Sequence, residues 1–135
     1  MSSIIEITEL NRVGADERGW VLEPISDAEL SNREILNVHI VCAEPGSVRG
    51  NHYHTIRRES ICILSGTFLC VAVDNATEER LELTAGPERN LCLTVPRNVG
   101  HALKNIGQDK GYLLCYSDKP FNPDNPDTVR KVVLD

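Results

Sequence analysis

Residues 46–66 read GSVRGNHYHTIRRESICILSG. Within this stretch His52 and His54 are two positions apart, so on a β-strand both imidazoles point to one face. Glu59 follows five residues later, at the head of the next apolar run. His101 comes far along the chain, just after the turn signal at residues 96–100, where a later strand begins. Two histidines on one strand, with a carboxylate and a third histidine from neighbouring strands, can surround a single ion. Three neutral imidazoles and one carboxylate suit Zn, Fe, Mn, Ni or Co, and they leave positions open for water or substrate.

Working outward, apolar and β-branched runs recur at residues 34–42, 60–65, 67–73, 80–84, 91–95, 101–105 and 112–117. Between them stand turn formers such as Pro45-Gly46, Asp74-Asn75, Gly86-Pro87, Pro96-Arg97-Asn98 and Gly107-Gln108. Short strands at this spacing predict an all-β sandwich or barrel. Ser26 and Glu29 form a capping-box pattern that supports a helix of a turn or two. The proline-rich stretch at residues 119–127 is unsuited to a central strand and is expected to lie as an extended cover over the barrel or a neighbour. We therefore expect one domain: a barrel core at residues 34–118, an N-terminal strand segment at 1–25 and an extended tail at 119–135.

The 135 residues suffice for one core, and 41% hydrophobic with 25% charged residues is ordinary for a globular protein. The net charge of −6 argues against non-specific nucleic-acid binding, which needs a basic surface. No run approaches a membrane span and the start lacks a signal-peptide pattern, so a cytoplasmic protein is expected, without nucleic-acid or membrane partners. The five cysteines, Cys42, Cys62, Cys70, Cys92 and Cys115, sit singly in apolar runs and read as small core residues. His39 alternates with Asn37 and can share a face with the site, but it reads first as an exposed or hydrogen-bonded structural histidine.

The quoted stretch resembles the first cupin motif in full, with Gly46, His52, His54, Glu59 and Gly66 at its fixed positions. Pro96, His101 and Asn105 are similar to the second motif, with Asn98 where a glycine belongs; asparagine tolerates the left-handed turn. The resemblance implies a jelly-roll barrel, the double-stranded β-helix of cupins, with one divalent metal held by His52, His54, Glu59 and His101.

A narrower resemblance is to dTDP-4-dehydrorhamnose 3,5-epimerases, carried by Arg49-Gly50-Asn51-His52-Tyr53, by Asp16-Glu17-Arg18-Gly19-Trp20 and by residues 66–74. It implies that Arg18 and Arg49 grip a pyrophosphate, that Asn51 belongs to the substrate-binding segment, and that His52 takes a proton beside the sugar's ketone when no metal is present. Two departures are visible. The epimerases' lysine aligns with Glu59, and their catalytic tyrosine falls nearest Leu114, so Tyr112 or Tyr116 is expected to return the proton. The motif at residues 49–54 with its glutamate, and the ending at residues 121–128, look more like the zinc-binding cupin domain of capsular-polysaccharide epimerase–reductases. Sugar 3,4-ketoisomerases are a weaker fit.

These resemblances imply an epimerase or isomerase acting on a small molecule, a nucleotide-linked keto-sugar, with Arg49, Arg57 and Arg58 as candidates for a basic patch at the mouth. Two alternatives stand beside it: a metal-dependent dioxygenase, and a non-catalytic sugar- or effector-binding cupin. A homodimer is expected because an open jelly roll leaves sheet edges, with residues 4–10 able to add a strand to a partner. In the resembled epimerases such an exchange carries the Asp-x-Arg-Gly segment toward the partner's barrel, which would place Arg18 near the other chain's site.

Overall fold

Alternation of inward and outward side chains builds the two layers. A computed structural model describes residues 4–135; the first three residues of the expected N-terminal segment lie outside the described residues. The strands are β1 (Glu6–Leu10), β2 (Val13–Asp16), β3 (Gly19–Val21), β4 (Asn37–Ala43), β5 (Val48–His54), β6 (Glu59–Ser65), β7 (Phe68–Asp74), β8 (Arg80–Ala85), β9 (Asn90–Val95), β10 (Val99–Asn105), β11 (Gly111–Ser117) and β12 (Thr128–Arg130). One short helix, α1 (Asp27–Ser31), starts at Ser26 with the reciprocal Ser26–Glu29 capping box. No helix among the described residues is long and apolar enough to cross a membrane.

Two antiparallel sheets of five strands form the barrel, in the orders β1-β9-β6-β11-β4 and β12-β5-β10-β7-β8, with β2 and β3 as a separate hairpin. All seven sequence-predicted runs are strands of these sheets. Ile61, Ile63, Leu91 and Leu93 from the first sheet meet Phe68, Cys70, Ala72 and Leu103 from the second in one buried core. Residues 131–135 fold back over the outer face of the second sheet, where Val133 packs with Val71, Val73 and Ala102. Four cysteines are buried as expected, but Cys42 is exposed because it lies on the outward face of β4. The N-terminal strand also differs from expectation. Within this chain β1 pairs with β9, from Glu6 opposite Thr94 to Leu10 opposite Asn90, so it caps an edge of its own sheet.

The feature that shapes the site is a bulge in β5. His52 is opposite His101 on β10, yet Gly50 is opposite Ala102, so β5 carries one extra residue, Asn51. Gly50 and Asn51 both have positive φ, 98° and 57°. A Cβ on Gly50 would stand 2.8 Å from the carbonyl oxygen of His101, so only glycine lets the strands approach here. The bulge also changes the alternation: Arg49 and His52, three residues apart, both line the barrel cavity. Asn98, at φ 62°, makes the left-handed turn before His101 that the motif's glycine usually supplies.

Gly50→Ala meets both a strained φ and a backbone clash, and should cost about 1–3 kcal/mol of stability. A clear drop in thermal midpoint is the expected outcome; a variant melting with the parent protein would show that the bulge does not need glycine.

Candidate functional site

A cavity of about 200 Å³ opens into the barrel, walled by His39, Arg49, His52, Arg57, Glu59 and His101, with Val41, Ile61, Leu103, Leu113 and Cys115 as its apolar lining. Its polar end is a cluster. One ligand atom from each of His52, His54, Glu59 and His101 lies within 4.8 Å of all the others. The His52 ring centroid is 4.8 Å from those of both His54 and His101. Glu59 Oε2 is 3.8 Å from His54 Nε2, and its Oε1 is 3.9 Å from His101 Nε2. These gaps are too long for hydrogen bonds. They are near the separation, about 3–4 Å, of two donors bound at about 2.1 Å to one ion.

Hydrogen bonding decides which nitrogen each ring offers. His101 Nδ1 lies 3.1 Å from the carbonyl oxygen of Val99, which can only accept, so Nδ1 carries the proton and Nε2 is bare. That Nε2 is buried and has no hydrogen-bond partner among the described residues. His54 behaves alike: Arg57 Nη2 can only donate to His54 Nε2, at 3.5 Å, which leaves the proton on Nδ1 facing Thr128 Oγ1 at 3.3 Å. Asp127 Oδ1 stands 3.7 Å from the same Nδ1. Orienting groups behind a ligand imidazole fix its tautomer and ring plane. An orphaned buried nitrogen, two oriented imidazoles and a carboxylate form a donor set that fits a first-row divalent ion.

Burial is the main cause that keeps all three rings neutral, and the charge of Arg57 adds to it. The pKa of His54 is pushed down to about 3. His101, lowered chiefly by burial, falls to about 4. Burial, then Arg57 and Arg49, also lowers His52. Neutral imidazoles need lose no proton before they bind a cation. Burial raises the pKa of Glu59 while Arg57 opposes that shift.

Four expected site residues do not reach the cavity. Asn51, the extra residue of the bulge, turns outward: its Nδ2 donates to Leu134 O at 2.8 Å, and its Oδ1 accepts from the N–H of Val133 at 2.9 Å and of Leu134 at 3.1 Å. It fastens the tail. Arg18 sits in the exposed β2–β3 hairpin, paired with Asp16 at 2.6 Å. Tyr112 and Tyr116 share a face of β11, but it is the outer face, since the residues of β11 that line the cavity are Leu113 and Cys115. Tyr112 is exposed, and Tyr116 is buried behind the sheet with Cys62 and Cys92. Of the expected basic patch, Arg49 and Arg57 line the cavity; Arg58 lies elsewhere, beside Glu34 and Asp118.

His39 does line the cavity, so its alternation with Asn37 was the informative signal. Its Nδ1 lies 2.9 Å from Asn37 Oδ1, an acceptor, which leaves Nε2 bare. Asp127 and Thr128 were not legible as site residues. They reach His54 only because β12 pairs along β5, with Thr128 opposite His54. Asp127 also accepts from the backbone N–H groups of Ile56 and Arg57, at 3.3 and 2.9 Å, and so shapes the loop leading to Glu59.

Comparison with known proteins agrees with this architecture. Over 115 residues the chain is 27% identical to UDP-2-acetamido-2,6-beta-L-arabino-hexul-4-ose reductase of Pseudomonas aeruginosa, covering 84% of this chain and 29% of the reductase. Spore coat polysaccharide biosynthesis protein SpsL of Bacillus subtilis is 22% identical over 121 residues, covering 86% of this chain and 80% of SpsL. Among solved structures, the dTDP-6-deoxy-D-glucose-3,5-epimerase RmlC of Legionella pneumophila, in complex with dTDP-4-keto-L-rhamnose, superposes with a TM-score of 0.78 at 17% identity, covering 97% of this chain and 74% of RmlC. The capsular polysaccharide assembling protein CapF of Staphylococcus aureus gives 0.69 at 22% identity, covering 92% of this chain and 34% of CapF. The chain thus spans about a third of the reductase and of CapF. The fold is that of the RmlC-like cupins. Residues 14–129 match the family described as polysaccharide biosynthesis C-terminal domain, and the chain belongs to that family.

Proposed function

We propose that the protein binds one divalent first-row metal (Zn, Fe, Mn, Ni or Co) and acts on a nucleotide-linked keto-sugar as an epimerase or isomerase. The observation that carries this reading is the convergence of His52, His54, Glu59 and His101 at the end of a cavity walled by Arg49 and Arg57. Two arginines beside an apolar wall suit a substrate with an anionic phosphate and a less polar sugar face. A metal-dependent dioxygenase needs no such pair of cations. The substrate class draws support from the Legionella relative, which is solved with a nucleotide-linked keto-sugar.

A divalent ion, when bound, supplies Lewis-acid polarisation of a carbonyl oxygen. The chain's own task is then to move a proton at the neighbouring carbon. Outside the four ligands, the ionisable groups lining the cavity are His39, Arg49, Arg57 and Cys115. The arginines are always protonated. The Cys115 thiol is held protonated by burial, which pushes its pKa up to about 12. His39 remains. Burial, and then Arg57, lowers its pKa, so it stands as a neutral base with Nε2 free to take the proton. The C–H bond breaks, its electron pair moves toward the ketone oxygen, and the proton rests on His39 Nε2. Return of a proton from solvent to the opposite face of the same carbon gives the epimer, and return to the original face gives exchange alone.

The cluster should carry about one metal equivalent per chain, by elemental analysis of the purified protein. His54→Ala should lose that metal and keep its circular dichroism spectrum, because a ligand is removed and the hydrophobic core is not. Undiminished metal in this variant would remove His54 from the ligand set.

In heavy water, a UDP- or dTDP-linked 4-keto-6-deoxyhexose should gain deuterium beside the ketone, as read by NMR. His39→Gln should slow that exchange by roughly a hundredfold or more in kcat, whereas Arg49→Ala should act mainly through KM, an effect of lost binding. Full exchange by His39→Gln would rule that residue out as the base.

We also propose a homodimer. β4 is an edge strand, and its outward residues Val38 and Ile40 are 51% and 64% exposed, beside Tyr112 at 41%. Analytical ultracentrifugation at micromolar concentration should give twice the chain mass, and Ile40→Glu should halve it; a monomeric parent protein would contradict this assignment.

A further inference from the structure

Arg57 occupies an unusual position. Its side chain is only 13% exposed, between the buried carboxylate of Glu59 and the partly buried one of Asp127. Nη2 stands 3.8 Å from Glu59 Oε2, and Nε stands 3.8 Å from Asp127 Oδ1. A settled arginine–carboxylate fork has N–O distances of about 2.7–2.9 Å, usually in parallel pairs. Neither contact here is of that kind. Among the described residues the buried Nε–H has no hydrogen-bond partner, and Nη2 makes one long hydrogen bond, 3.5 Å, to His54 Nε2. The backbone of Arg57 is by contrast firmly held, its N–H donating to Asp127 Oδ2 at 2.9 Å. The side chain thus hangs from a fixed point, with its charge near two acceptors it does not grip.

Two of the groups beside it have another use: His54 and Glu59 belong to the four-residue cluster. A guanidinium beside them and a divalent cation bound to them compete for the same electron pairs, and two positive charges in one buried site repel strongly. We propose that Arg57 is the site's built-in counter-cation: it balances Glu59 and Asp127 while no metal is bound, and it opposes a metal at His54 and Glu59, so that it sets how tightly the cluster takes a divalent ion. The inference rests on the metal-binding reading above and adds to it. The long arginine stem can swing the displaced guanidinium along the cavity wall, away from His54 and Glu59 and toward Arg49. Metal entry then redistributes the positive charge of the wall. The lowered pKa values of His39, His52, His54 and His101, to all of which Arg57 contributes, agree with a positive charge acting across the cavity.

The test is zinc affinity of the full chain, freed of metal by a chelator and titrated with zinc against a chromogenic zinc chelator. Arg57→Met removes the charge and keeps the stem; it should bind zinc roughly tenfold tighter or more than the parent protein. Arg57→Lys keeps a positive charge and should gain much less. Arg57→Gln is a second neutral variant with the same expected gain, in case Arg57→Met does not fold. In the parent protein the Arg57 Nε–H resonance should exchange faster with water once one zinc equivalent is added. Parent protein that binds zinc, with neutral variants that bind it no tighter, overturns the role of Arg57 and leaves the metal site standing. Failure of both parent and neutral variants to bind zinc overturns the metal reading and this inference together. Zinc binding by the neutral variants alone would support the inference in its strongest form.

Discussion

The close passage of Gly50 against the backbone of His101 is the contact on which the rest of the site depends. A regular β5 would send Arg49 and His52 to opposite faces, because side chains alternate. One extra residue at Asn51 restores both to the cavity. The same bulge throws the Asn51 side chain outward, where it takes hold of Val133 and Leu134. The tail so anchored runs beside β5 as β12 and delivers Thr128 and Asp127 to the back of His54. A single backbone irregularity therefore aims Arg49 and His52 into the cavity and fastens the tail that brings Thr128 and Asp127 to His54. Bulges often serve this purpose near functional sites, re-aiming side chains that a straight strand would misdirect.

Electrostatics explains why such a site stays assembled. Buried charges are tolerated when they are paired or hydrogen-bonded, and buried imidazoles avoid the problem by staying neutral. Here three histidines and one carboxylate converge in a largely apolar barrel, and the arginines of the wall supply positive charge. The arrangement is satisfied on its outer side, where Val99, Thr128 and Asp127 face the ring nitrogens. On its inner side His101 Nε2 has no hydrogen-bond partner among the described residues, and Glu59 meets the rings only at 3.8–3.9 Å. A cluster held firmly from behind and left open in front is organised for something that enters it.

Much of this was legible in the residue order. Strand positions follow from apolar runs between turn formers, and the spacing of His52, His54 and Glu59 points at a common centre. Asn98 could be understood as a left-handed turn residue from its side chain alone. What could not be read was three-dimensional pairing. Asn51 looked like part of a binding segment because its neighbours Arg49 and His52 are; the bulge that turns it away leaves no mark in the alternation. Tyr112 and Tyr116, two residues to either side of Leu114, share one face of one strand, but which face meets the cavity is set by Leu113 and Cys115 packing inward. His39 was read as structural because a single histidine on a strand carries little information, whereas the cavity wall makes its position meaningful. Asp127 is 73 residues from His54, and only the pairing of β12 with β5 brings them together.

The central claim is that these four side chains together hold one ion. X-ray absorption at the zinc K-edge, on the zinc-loaded protein, examines that claim at the atoms concerned. The account predicts a first shell of nitrogen and oxygen only, at about 2.0–2.2 Å, with outer-shell scattering from three imidazoles. A sulfur shell at about 2.3 Å, the signature of cysteine ligation, or scattering from fewer than two imidazoles, would contradict it.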